Sequence, residues 1–130
     1  MVIDSSALVA IFLAEPERHE YLGLIRQADV RNISAVNVFE TAMLLESRRG
    51  EAIGRELDLF LVDMELEVVA FDKRQIIIAR SAFRRFGKGR HPAALNFGDC
   101  FAYALAKMTG EPLLAKGNDF VKTDIPLCRL

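Results

Sequence analysis

Four carboxylates in this chain stand among apolar residues, where a charge is costly unless something meets it. Asp4 follows "MVI", Glu40 lies in "VFETAMLL", Asp99 in "NFGDCFAYALA" and Asp119 in "KGNDF". Taken singly, each has an ordinary use. Asp4, or Ser5 or Ser6 beside it, suits the N-cap of a helix starting near Ala7. Glu40 stands three residues after Asn37, the spacing of a capping box. Asp99 suits the N-cap of its own helix, and Asp119 an Asx-turn. Together the four ask for a cation. Like charges crowded at one place raise one another's pKa and oppose ionisation. A hard divalent ion removes that conflict, and Mg²⁺ or Mn²⁺ prefers a few carboxylates with water and phosphate oxygens.

Other chemistries fit less well. His19 and His91 are far apart and lack partners at ligand spacing, which argues against zinc and makes both surface residues. Cys100 and Cys128 form neither a disulfide framework nor a zinc site and are expected to be small core residues. No histidine lies within sequence reach of Cys100 to activate it.

The elements that must position these acids alternate between strand and helix. Val2-Ile3 reads as a short buried strand and Ser6 to Leu13 as a mostly buried helix. Glu15-Pro16-Glu17 opens a helix running to about Gln27, and Val30 to Ser34 is a second strand. "NVFETAMLLESRRG" is a helix that Gly50 can stop, and Glu51 to Met64 is another. "LEVVAFD" is the best strand by β-branching. Lys73 to Phe86 is a basic helix, and "GKGRHPAALNFG" is a loop. Asp99 to Met108 is an apolar helix closed by Gly110, "PLLAKG" is a strand and "NDFVKTD" the loop leaving it. The alternation predicts an α/β fold around a central, mostly parallel sheet of four to five strands. Such sheets place ligand sites beyond the carboxyl ends of their strands, which is where Asp4 and the loop carrying Asp119 fall.

At 130 residues the chain is expected to form a single domain over 1–130, and 52% hydrophobic content excludes disorder. The apolar run Ala7 to Ala14 is too short to span a bilayer and follows no basic segment, so a soluble, cytoplasmic protein is expected. The net charge of −1 hides an asymmetry. Residues 1–72 hold 6 Lys/Arg against 14 Asp/Glu, whereas residues 73–130 hold 11 against 4. A polyanion-binding face in the second half is one reading of this, and interleaved solvated helix surfaces are the other. Arg84, Arg85, Lys88 and Arg90 flank the glycine-bearing loop, where phosphate contacts would give affinity without sequence choice.

"MVIDSSALVAIFLAEPE", "SAVNVFETAMLLESRRG", "GRHPAALNFGDCFAYALA" and "PLLAKGNDFVKTDI" resemble successive blocks of a PIN domain. They resemble most the VapC-type toxins of bacterial type II toxin–antitoxin systems. The resemblance implies a three-layer PIN-like fold and a Mg²⁺- or Mn²⁺-dependent ribonuclease restrained by a small VapB-type antitoxin. It implies that Asp4, Glu40 and Asp99 are site acids, with Ser6 in support. For the fourth acid it points to Asp119, with Asp124 the weaker candidate. Asp4 and Asp99 are then the expected metal ligands, and Glu40 or Asp119 would orient the attacking water during phosphodiester hydrolysis. The antitoxin is expected over residues 6–27 and 51–64, and a homodimer or a toxin–antitoxin hetero-oligomer is expected as the assembly.

Two rivals are weighed against this, a non-catalytic module and a phosphotransfer or phosphatase domain. A non-catalytic PIN-like module that binds RNA or protein would fit mutated acids, but all four positions are acidic here. A phosphotransfer receiver would want a second acid beside Asp4, where Ser5 stands. A haloacid-dehalogenase-type phosphatase would want one at Ser6.

Overall fold

A computed structural model of the protein describes residues 1–129. The described residues form four short strands and six helices in the order β1 (Val2–Ile3), α1 (Ser5–Phe12), α2 (Arg18–Gln27), β2 (Asn32–Ser34), α3 (Ala35–Arg49), α4 (Glu51–Asp63), β3 (Glu67–Val69), α5 (Lys73–Phe86), α6 (Phe97–Thr109) and β4 (Leu113–Leu114). The sheet runs β3-β2-β1-β4 with every pair parallel. Val2 stands opposite Asn32 and Leu113, and Ile3 opposite Leu114.

Because successive strand residues face opposite sides, two-residue strands suffice to divide the core in two. Val2 and Leu113 enter one core with Leu95, Tyr103 and Leu105. Ile3 and Leu114 enter the other with Leu8, Ile25, Ile33 and Leu57. Helices α5 and α6 therefore cover one face of the sheet and α1, α2 and α4 the other. Helix α3 leaves β2 directly and packs against α1, α4 and α6. The result is the α/β fold around a parallel sheet that the alternation predicts, in the three layers that the PIN resemblance implies.

The boundaries differ from expectation for local reasons. "LEVVAFD" contributes only Glu67–Val69, because as the edge strand it pairs only with the three residues of β2. Helix α2 starts at Arg18, after a turn in which the Arg18 N–H reaches the Glu15 carbonyl at 3.0 Å. Helix α3 starts at Ala35, capped by Ser34, so Asn37 and Glu40 do not form its capping box. Helix α6 starts at Phe97. Its N-cap is Asn96, and Asp99 is the third residue of a complete capping box rather than the cap itself. Among the described residues no helix is long and apolar enough to cross a membrane.

Strand order reverses between β1 and β4, since β2 and β3 extend the sheet one way and β4 adds on the other side. The crevice at the carboxyl ends of those two strands is the topological switch point, where open parallel sheets bind ligands.

Candidate active site

Asp4 follows β1 immediately and is 3% exposed. It caps α1 as expected, its Oδ2 accepting the Ser6 N–H at 3.0 Å. That bond uses one oxygen only. The buried Oδ1 has no hydrogen-bond partner among the described residues, so capping alone does not account for the carboxylate. Burial pushes the Asp4 pKa up to about 6, against the lowering effect of the Ser6 hydrogen bonds and with a further rise from the Glu40 charge.

Asp99 is 8% exposed. Its Oδ2 accepts the Asn96 N–H at 3.0 Å. Burial nonetheless pushes its pKa up to about 7, opposed by that bond and reinforced by the charges of Asp4, Asp119 and Glu40. The four acids thus come from four separate stretches and share one field at the switch point. Asp119 stands exposed in the loop after β4. Among the described residues, no group of three His, Cys, Asp or Glu is placed so as to hold a metal ion.

Glu40 is held by Asn37, which its sequence neighbourhood singles out, and by residues distant in sequence, which it does not. Its Oε1 accepts the Ser5 hydroxyl and the Asn37 Nδ2 (3.3 Å). Asn37 is fully buried and also donates to the Gly98 carbonyl at 3.1 Å. Gly98 itself is the clearest omission. A Cβ there would fall 2.1 Å from Glu40 Oε2, so the carboxylate occupies the space a side chain would fill. The signal is present in "NFGDC", but a glycine in the first turn of a helix reads as a capping preference until α3 is packed across it. Ser6 joins the site's frame, its Oγ accepting the Lys116 N–H at 2.9 Å and tying the exit of β4 to α1.

Other expected residues lie elsewhere or are engaged. Asp124 accepts the Tyr103 hydroxyl and Lys107 Nζ, each at 2.7 Å, and pairs with Arg85 at 3.7 Å. It pins the last loop to α6 and α5. Arg85 is therefore occupied, and it also lies over the Phe86 ring. Arg84 and Lys88 are exposed, and Arg90 lies over Phe83 at 5.0 Å. His19 is exposed, but His91 is half-buried, packs edge-on against Phe86 and accepts the Ala93 N–H. Cys100 is buried and its thiol is pushed up to about 11 by burial and Asp99, which rules out a thiolate nucleophile near neutral pH. Cys128 packs against the second core.

The donor set fits a hard divalent cation. The charges of Asp4, Asp119 and Glu40 all bear on Asp99, Asp4 Oδ1 is buried and unpartnered, and a few carboxylates not drawn together suit an ion that keeps several waters.

Comparison with known proteins agrees with this frame. The PIN domain family matches residues 1–126, which include all four acids. A ribonuclease VapC of Mycolicibacterium smegmatis is 53% identical over 96% of this chain and 97% of its own length. Ribonuclease VapC30 of Mycobacterium tuberculosis is 49% identical over 96% and 95%. Among solved structures, M. tuberculosis VapC20, described as a Sarcin-Ricin loop cleaving toxin, superposes with a TM-score of 0.81 at 18% identity, covering 99% of this chain and 98% of that one. VapBC2 of Rickettsia felis, bound to a DNA fragment from its promoter, gives 0.74 at 16% identity over 98% and 96%. The chain belongs to the PIN-domain family, among its VapC ribonucleases.

Proposed function

We propose that this chain is the ribonuclease toxin of a toxin–antitoxin pair, hydrolysing RNA phosphodiester bonds at the acid cluster with Mg²⁺ or Mn²⁺ bound. The observation that carries the reading is the buried, unpartnered Oδ1 of Asp4 beside an Asp99 whose ionisation three neighbouring acids oppose. Asp4 and Asp99 would hold the ion. When bound, it supplies an activated water and neutralises charge developing on the phosphoryl oxygens. The rest is done by the chain. Glu40 has both side-chain donors on Oε1, which leaves Oε2 to accept a proton from the attacking water. Ser5, Asn37 and Gly98 hold that carboxylate in one place. Asp119 reaches the site from a loop and completes the acidic shell.

The antitoxin would be a small VapB-type protein, as in the R. felis VapBC2 assembly. Of its expected footprint over residues 6–27, the α1 part needs revision, because Ala7, Leu8, Ala10 and Ile11 are buried in the chain's own core, whereas α2 keeps an exposed face. Helices α3 and α4 also leave Phe39, Met43, Leu44, Leu59 and Val62 exposed. An antitoxin lying there keeps the α4 part of the expected surface and approaches the site along α3.

The test uses the purified chain on RNA with Mg²⁺ or Mn²⁺, with EDTA and phosphoprotein controls. Metal-dependent cutting that Asp4→Asn and Asp99→Asn each reduce by more than about a hundredfold supports the reading, since outer-shell partners alone are worth 10–100-fold. Calorimetric titration of Mn²⁺ should show binding lost in the same variants. RNA binding without cutting at any metal concentration would favour a non-catalytic module.

A further inference from the structure

Beside the acid cluster, between α5 and the start of α6, lies a cleft of about 620 Å³, within the size range of small-molecule pockets. Its wall is almost wholly apolar and unusually aromatic. Phe71, Phe101 and Phe97 form a row, with ring centroids 4.6 Å and 4.8 Å apart and the rings set edge to face. Phe83 also lines the cleft. Phe97 is 80% exposed, although the first position of a helix imposes no need for an aromatic ring. Arg84 and Lys88 are on the rim, so the apolar wall is bordered by cations. The cleft borders the site at the first turn of α6: Asn96, whose side chain accepts the Asp99 N–H, and Cys100, which follows Asp99, both line it, while the acids themselves do not.

We infer that this cleft receives one unstacked base of a single-stranded RNA, adjacent to the bond that is cut. The inference rests on the ribonuclease reading above and adds to it a base-binding subsite. Unpaired bases stack on aromatic faces, and their phosphates need cations within a few ångströms. An aromatic row with a basic border supplies both. Backbone contacts from Arg84 and Lys88 position the strand, and Phe97, the ring most open to solvent, takes the base. Charge decides between occupants here: an apolar protein segment has no use for the cationic rim, and a nucleotide needs it.

The experiment measures binding of single-stranded RNA to the Asp4→Asn chain, using oligonucleotides that span a bond the unaltered chain cuts. Abasic nucleotides are placed one position at a time. One or two positions next to that bond should lose about five- to a hundredfold in affinity, the worth of one base–aromatic stack. Adding Phe97→Ala should weaken the intact oligonucleotide similarly and erase the abasic effect. Phe97→Trp, which keeps a stacking face, should restore it. A flat abasic scan with cutting intact overturns the base pocket and leaves the ribonuclease reading standing. An unaltered chain that neither binds nor cuts RNA overturns both. If Phe97→Ala lowers the sedimenting mass while the abasic penalty persists, the cleft is an interface between copies of this chain, and the inference fails.

Discussion

Glu40 and Gly98 come from different helices, and the Glu40 carboxylate fills the space where a side chain at 98 would begin. A Cβ at that position would meet Glu40 Oε2 at 2.1 Å and the carboxyl carbon at 2.7 Å. Gly98 is thus required for space rather than for an unusual backbone angle, as α6 is already helical there. Gly98→Ala should displace Glu40 and break its bonds to Ser5 and Asn37. RNA cleavage should fall by about 10–100-fold, the range for losing a positioning partner. Mn²⁺ binding through Asp4 and Asp99 should persist, and Gly98→Ala combined with Glu40→Gln should be no slower than Glu40→Gln alone. Steady-state cleavage on the four proteins checks the coupling.

The two raised carboxyl groups make stability depend on pH. Asp4 and Asp99 bind protons more tightly folded than unfolded, so between the ordinary carboxylate pKa of 3.8 and their folded values of about 6 and about 7 the native state holds more protons. Stability of the metal-free protein should therefore fall as pH rises through that window. For Asp4 the loss is roughly 3 kcal/mol at full ionisation. Asp4→Asn keeps a cap for α1 and removes the charge, so at pH 8 it should melt higher than the unaltered chain without metal. Asp4→Ala should gain less, because the lost cap costs about 1 kcal/mol. Thermal melts from pH 4 to 8, with and without Mn²⁺, decide this. Flat melting temperatures would mean that both groups ionise freely.

Asp119 and Asp124 should separate cleanly. Asp119→Asn should slow cleavage and leave the melting temperature nearly unchanged, since the residue is exposed. Asp124→Asn should do the reverse, because it weakens the ties to Tyr103, Lys107 and Arg85. Burial raises the Asp124 pKa, but Lys107, Tyr103 and Arg85 outweigh it and hold the group below its ordinary value. Its contribution is therefore present near neutral pH and fades in acid. Paired melts and rates for the two variants measure the contrast.

The basic border should act through phosphates. Removing Arg84, Lys88 and Arg90 together should weaken single-stranded RNA binding and flatten the dependence of log affinity on log salt. The slope should fall by about 0.7 for each phosphate left without its cation, roughly 2 if all three side chains engage. Arg85 is left out because Asp124 already holds it. Filter binding over a salt series in the Asp4→Asn background gives the slope. An unchanged slope would assign the RNA track to another face.

Much of this is legible in one dimension. Asp4 can be placed at a strand end because "MVI" before it and "ALVAIF" after it have no other economical arrangement, and helix α5 can be read from residue 73 to 86 because Asp72 caps it and Gly87 follows it. Local chemistry of that kind needs only neighbours in sequence. The starts of α3 and α6 escape such a reading because each stretch offers two local caps, Ser34 or Asn37 and Asn96 or Asp99, and neighbours in sequence do not choose between them. Asn37 is drawn across to Gly98, 61 residues away, and Asp99 yields the cap to Asn96. The same holds for function. Sequence determined that four acids exist and that a parallel sheet would bring strand ends together. Tertiary structure alone decided that Asp119 bears on Asp99 while Asp124 serves a hydroxyl and two cations, that Arg85 is occupied, and that Gly98 is the space Glu40 needs. Those are distances between residues far apart in the chain, and no local preference encodes them.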